Sequence, residues 1–198
     1  MSTLIFPDVR IASLEWYLVS NTQTFTSPLS GVTQTLELPG AKWRASIGIK
    51  DLEAADSRLM SAFLVKLRGQ SGRFSITDFR HPTPAGAASG TPVVAGAGQT
   101  GNALLTGGWT PSTIGILLAG DYIQVGDELK MVVDDANSDA TGAATLNIEP
   151  PLRNSPADAS TIITDHPKCI MALENKQVGW PTRSPLLSSF TINCLEAL

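Results

Sequence analysis

The sequence predicts a mainly β protein with one α-helix and a second, smaller β unit inserted into the first. Three observations carry that prediction. Short runs of alternating apolar and polar residues fill most of the chain; only one segment repeats apolar residues at helical spacing; and a stretch of unusual composition lies between two His-Pro steps. That stretch runs from Pro82 to His166, and its opening 39 residues, Pro82 to Gly120, contain no Asp, Glu, Lys or Arg while holding nine of the chain's 17 glycines. The expected division is a discontinuous unit, 1–81 with 167–198, carrying an insert at 82–166. Charge separates the two: the insert has nine acidic residues against Lys130 and Arg153, a net −7, whereas the rest is +3. A charge of +3 spread over about 113 residues is too dilute to argue for phosphate binding.

The helix is expected at about 52–68. Asp51 is the N-cap, Leu52, Leu59, Met60, Phe63, Leu64 and Leu67 share a face, and Gly69 is the stop. Glu53 and Asp56 near its start and Lys66 and Arg68 near its end suit the helix dipole. In the outer unit, strands are expected at Glu15–Val19, Thr33–Leu38, Trp43–Ile49, Arg73–Asp78, Lys168–Leu173 and Leu187–Leu195, separated by turn signals such as Pro39-Gly40. In the insert, five strands are expected: Ile114–Leu118, Tyr122–Val125, Glu128–Val133, Ala144–Ile148 and Thr161–Thr164. Gly126-Asp127 marks the clearest hairpin. Five short strands suit a small β-barrel or sandwich. Pro82 to Gly108 reads as a long irregular segment.

The sequence offers little for catalysis. Gly-x-Ser-x-Gly, P-loop, dinucleotide-binding and His-Glu-x-x-His motifs are all missing, no carboxylate pair suggests a cell-wall hydrolase, and no enzyme activity or cofactor is expected. His81 and His166 read as restrained crossings, because a proline follows each; with Asp78 and Asp165 beside them, a metal site is the alternative. Asp135-x-Asn137-x-Asp139 with Gly142 resembles the start of a calcium loop. An EF-hand's sixth and twelfth positions, however, hold Ala140 and Leu146 here, so a solvated hairpin loop is the plainer account. Cys169 and Cys194 match no zinc spacing and read as buried thiols, with a disulfide as the other possibility. Each of the four tryptophans, Trp16, Trp43, Trp109 and Trp180, reads first as a buried anchor; Trp109, in the uncharged region, has an exposed stacking platform for a glycan as its alternative reading. Apolar runs are too short for a membrane helix, and the N-terminus predicts no secretory signal.

Several stretches taken together resemble a known family. Leu36-Glu37-Leu38-Pro39-Gly40-Ala41-Lys42-Trp43-Arg44-Ala45, Leu67-Arg68-Gly69-Gln70-Ser71-Gly72-Arg73-Phe74, Gly107-Gly108-Trp109-Thr110-Pro111 and Leu118-Ala119-Gly120-Asp121-Tyr122 are similar to tail proteins of long flexible-tailed (siphovirus-type) bacteriophages, and to the distal tail protein group among them. The likeness continues through Gly142-Ala143-Ala144-Thr145-Leu146 and Pro150-Pro151-Leu152-Arg153. It implies a tube-protein-like β-sandwich with one helix, an inserted peripheral barrel of the oligosaccharide- and oligonucleotide-binding (OB) type, and assembly into a homohexameric ring. The implied partners are further copies of the chain, the tail tube protein and the tail-tip hub proteins, with no membrane. DNA would pass through the ring without specific binding. The implied location is the tail of the virion, assembled in the host cytoplasm. The alternative expectation is a glycan- or receptor-binding module acting through the insert, with Trp109 as its contact.

Overall fold

A computed structural model of the protein describes residues 3–177, 179–183 and 187–197. In chain order its elements are β1 (Leu4–Ile5), β2 (Ser13–Val19), β3 (Thr22–Thr26), β4 (Thr33–Glu37), β5 (Lys42–Leu52), α1 (Ala54–Lys66), β6 (Phe74–Thr77), β7 (Gly90–Val94), β8 (Gly101–Trp109), β9 (Tyr122–Val125), β10 (Glu128–Val132), β11 (Ala144–Leu152), β12 (Ile162–Ile163), β13 (Lys168–Leu173), β14 (Thr182–Arg183) and β15 (Leu187–Glu196). The protein is mainly β with one α-helix.

The strands form three sheets. Seven build the first, in the order β1-β6-β13-β15-β5-β2 with β14 alongside β15; β1 runs parallel to β6 and the other pairings are antiparallel. Six build the second, in the order β12-β9-β10-β11-β8-β7, all antiparallel. A bridge between Val93 and Thr161, with Val94 N donating to Ser160 O at 2.9 Å, brings the outermost strands together, so this sheet is a nearly closed barrel. The third sheet is the two-stranded ribbon β3-β4.

Alternation along β5 and β15 explains the first sheet. Trp43, Ala45, Ile47 and Ile49 point to one face with Phe190, Ile192 and Cys194, and all are buried. Helix α1 covers part of that face with Met60, Phe63 and Leu64, which recur at three- and four-residue spacing, and Leu67 follows them into the core. Phe63 meets Phe6 and Phe74 edge-on, with ring centroids 5.5 and 5.6 Å away. Each of these large side chains contributes about 1.5–3 kcal/mol through burial.

The helix begins and ends one or two residues from the expected positions. Asp51 lies in β5 at φ 56°, and Glu53, without a side-chain cap, precedes the first turn. At the other end Arg68 and Gly69 both take left-handed backbone, φ 51° and 66°, so the glycine stop stands where expected, and Gly72 N returns to Leu67 O at 2.8 Å. Leu59 is exposed, so it falls off the expected apolar face.

The barrel differs more from expectation. Pro82 to Gly108 is not irregular throughout: it supplies β7 and most of β8, giving six strands where five were expected. Ile114–Leu118 is a turn, whose only ladder contact is the bridge from Leu117 to Ala136. Thr33–Glu37 is a strand, but it pairs with Thr22–Thr26 in the separate ribbon rather than in the main sheet.

The chain leaves and returns to the first sheet at adjacent points, where His166 N donates to Pro82 O at 2.7 Å. From there, the hairpin β9-β10 packs against β13 and joins the same core, contributing Tyr122, Leu129 and part of Met131. The opposite side chains of these strands, Ile123, Val125 and Val132, fill the barrel's own core.

Candidate functional site

The sequence candidates become structural when placed. Trp109 is 3% exposed, packed in the barrel core with Leu104, Ile116 and Leu146, and its indole N–H donates to Thr106 Oγ1 at 2.8 Å. It is therefore no open stacking platform, because both the ring and its polar edge are already engaged. Asp135 Oδ1 accepts from Ala119 N, Asn137 Oδ1 from Gly115 N, and Asp139 Oδ1 from Thr141 N and Ala143 N, at 2.7–2.9 Å. Asp135 and Asn137 staple two loops together, while Asp139 closes its own loop, so the three carbonyl and carboxylate groups are each engaged with backbone amides. Asp139 is held below the usual carboxylate range by the Thr141 hydroxyl and the nearby amides.

At the crossings, Asp78 is buried and clasped by Arg80, through Nε at 3.1 Å and Nη2 at 2.7 Å, while the exposed His166 Nδ1 meets Asp165 Oδ1 at 2.7 Å. Among the described residues, no group of three or more His, Cys, Asp or Glu side chains is placed to hold a metal. Cys169 and Cys194 are buried free thiols; burial pushes both up, Cys194 to about 12. Trp16 is half-buried against Trp43, and Trp180 is partly exposed against Phe190. Among the described residues no helix is long and apolar enough to cross a membrane.

Two arrangements not expected from the sequence stand out. The first is the joint between sheet and barrel. Trp43 Nε1 donates to Leu129 O at 2.9 Å, Trp43 N donates to Glu196 Oε2 at 3.1 Å, and the Trp43 ring meets Tyr122 at 5.7 Å between centroids. Beside it lie four charged groups, three buried and Arg153 partly so. Lys130 Nζ sits 2.5 Å from Glu128 and 2.9 Å from Pro151 O, and Arg153 Nη2 stands 2.5 Å from Glu196 Oε1. The Arg153 pair is an ionic contact rather than an aligned hydrogen bond, since neither atom completes one. Burial pushes the Glu128 carboxyl up, but Lys130 and the amides of Arg153 and Asn154 outweigh it, leaving the group below its ordinary range. The signal for this joint was present in composition: Lys130 and Arg153 are the insert's only cations, and both are spent here.

The second arrangement is the ribbon. Every residue of β3 and β4 is exposed, on both faces. One face carries Thr22, Thr24, Thr26, Thr33, Thr35 and Glu37, paired across the strands; the other carries Gln23 opposite Leu36 and Phe25 opposite Gln34. Leu29 and Val32 continue the exposed apolar surface at its tip, and Tyr17, Leu18 and Val19 of the sheet-edge strand β2 adjoin its base. A two-stranded ribbon is marginal alone in water, and its free edges offer unpaired backbone groups.

No protein-family model matches the sequence, and no curated protein matches it.

Proposed function

We propose that the chain is a structural, non-enzymatic component of a bacteriophage tail, forming a homohexameric ring that joins the tail tube to the tail tip. The observation that carries this reading is the ribbon β3-β4, on which Phe25 and Leu36, between Gln23 and Gln34, are left in water by the protomer. Contiguous exposed apolar surface on a free strand edge suits a partner chain. The main sheet adds two unlike ends, the short parallel β1 and the long antiparallel β2, and a cyclic assembly uses two different patches per copy. In this reading the unit 1–81 with 167–198 builds the ring, the barrel of 82–166 is peripheral, and the neighbours are the tail tube protein and the tail-tip hub proteins. DNA passes through without base-specific contacts. The distal tail protein resemblance supplies the copy number and the location in the virion.

An image reconstruction of the intact tail tests this. Density for a sixfold ring near the tip, with the sheet-and-ribbon unit around its channel, is the expected result; the reading fails if that unit lines no channel.

A further inference from the structure

We propose that the turn after α1 is a phosphate site, a recess whose cations take the phosphoryl group of a small organic phosphate monoester while two leucines receive its carbon skeleton. The site belongs to the unit 1–81 with 167–198 and does not depend on the ring.

The turn is fixed and positively charged. The chain leaves α1 through Arg68 and Gly69 in left-handed backbone, and Arg73 Nη1 then donates to the carbonyls of Gln70, Ser71 and Gly72 at 3.0–3.3 Å. That clasp occupies one nitrogen of Arg73 and leaves its charge whole. A recess of about 250 Å³ opens on the turn, with Leu4 and Leu67 in its wall beside Lys66, Arg68 and Arg73. A fourth cation comes from far along the sequence. The segment after β13 crosses the turn: Gln70 Nε2 donates to Glu174 O at 2.5 Å, and a Cβ at Gly69 would stand 3.2 Å from the Lys176 carbonyl oxygen.

These charges have no counterpart in the chain. A helix C-terminus favours cations, yet among the described residues the side chains of Lys66, Arg68 and Lys176 form no hydrogen bond and no ion pair. Residues 57–77 contain no acid, and the acid on the crossing segment, Glu174, is bonded to Arg44 at 2.7 Å. The +3 of this unit is dilute when averaged along the chain, but the fold gathers cations at one turn.

The grouping selects the ligand. A phosphoryl end carries up to two charges on three oxygens, and Arg and Lys are its ordinary partners. Cations around one recess suit a single phosphoryl group, whereas a nucleic-acid backbone needs a groove of cations that follows it. Leu4 and Leu67 add an apolar wall, which a bare ion cannot use.

Isothermal titration of the full chain with glycerol phosphate at low salt is the test, with inorganic phosphate and glycerol run beside it. Glycerol phosphate should bind roughly fourfold tighter than inorganic phosphate, the effect of burying one CH₂ group, and glycerol alone should give no heat. Lys66→Gln and Arg68→Gln should each weaken binding roughly tenfold, the loss of one charge-assisted bond. Lys50→Gln makes the same charge change at the opposite end of α1 and should leave the affinity unchanged. All three side chains are exposed, and unchanged circular dichroism verifies that the variants fold. Absence of binding, equal affinity for glycerol phosphate and inorganic phosphate, or an equal loss in Lys50→Gln overturns the site. So does a short DNA duplex that binds with steep salt dependence and is not displaced by glycerol phosphate, because the cations then serve a polymer backbone. None of these outcomes bears on the ring, which the tail reconstruction judges.

Discussion

Trp43 and Phe25 are both large aromatic residues on strands near one end of the first sheet, and their surroundings are opposite. Trp43 is 3% exposed and fastened to the barrel through its ring and its indole N–H, with its amide held by Glu196 of its own sheet, whereas Phe25 is 66% exposed on the ribbon. The difference separates two uses of apolar surface. At Trp43, burial is completed within one chain and is joined to directional bonds that fix the angle between sheet and barrel. At Phe25 the chain itself completes no burial, and under the proposed function that burial falls to a partner.

Changes on either side of this contrast should differ in size and in readout. Trp43→Ala has the largest expected effect: it opens a cavity between sheet and barrel and removes the donor to Leu129 O, costing about 3–5 kcal/mol in chemical denaturation. Glu196→Ala should cost about 3 kcal/mol, because it leaves Arg153 without its partner and Trp43 N without an acceptor; the residual exposure of Arg153 places the figure at the low end for a broken buried pair. Lowering the pH should act on the same joint. Glu128 has a depressed folded pKa, so its contribution is present above the ordinary value of 4.5 and is lost as pH falls through the folded value. Glu128→Gln should remove part of the acid sensitivity seen in a thermal midpoint measured between neutral and acid pH. The smallest effect on the protomer is expected for Phe25→Ser with Leu36→Ser, within about 0.5 kcal/mol, since both side chains are already in water. Under the proposed ring function, incorporation of that variant into tails should nevertheless collapse. Normal incorporation would erase the contrast with Trp43.

Much of the fold was legible because local pattern and tertiary placement agreed. Lys168–Leu173 and Tyr122–Val125 occupy the expected bounds, and the Gly126-Asp127 turn joins β9 to β10 as its chemistry suggests. The misreadings have specific causes. Strands β7 and β8 are rich in glycine, which resembles a loop in sequence. In the barrel, however, a side chain at Gly108 would collide with the Thr91 carbonyl, and Gly142 packs equally closely on Trp109. Conversely, Ile114–Leu118 has strand-like composition but is held as a turn by Asp135, Asn137 and Ser138, whose importance appears only when the loops meet. Nor could local spacing reveal a contact such as that of Arg153 with Glu196, which joins the insert to the last strand. For the candidate site, residue chemistry singled out Trp109 and the Asp-rich loop. It could not distinguish a side chain turned inward from one turned out.

The hydrogen bond from His166 N to Pro82 O has an evolutionary consequence. A segment whose two ends stand side by side behaves as a cassette: it can be lost, exchanged or lengthened by recombination without rethreading its host. Inheritance of this cassette is constrained at Trp43, Tyr122 and the Arg153 to Glu196 contact, so a replacement must bring a matching footprint. Lineages carrying other cassettes should therefore vary together at the positions equivalent to 43 and 196.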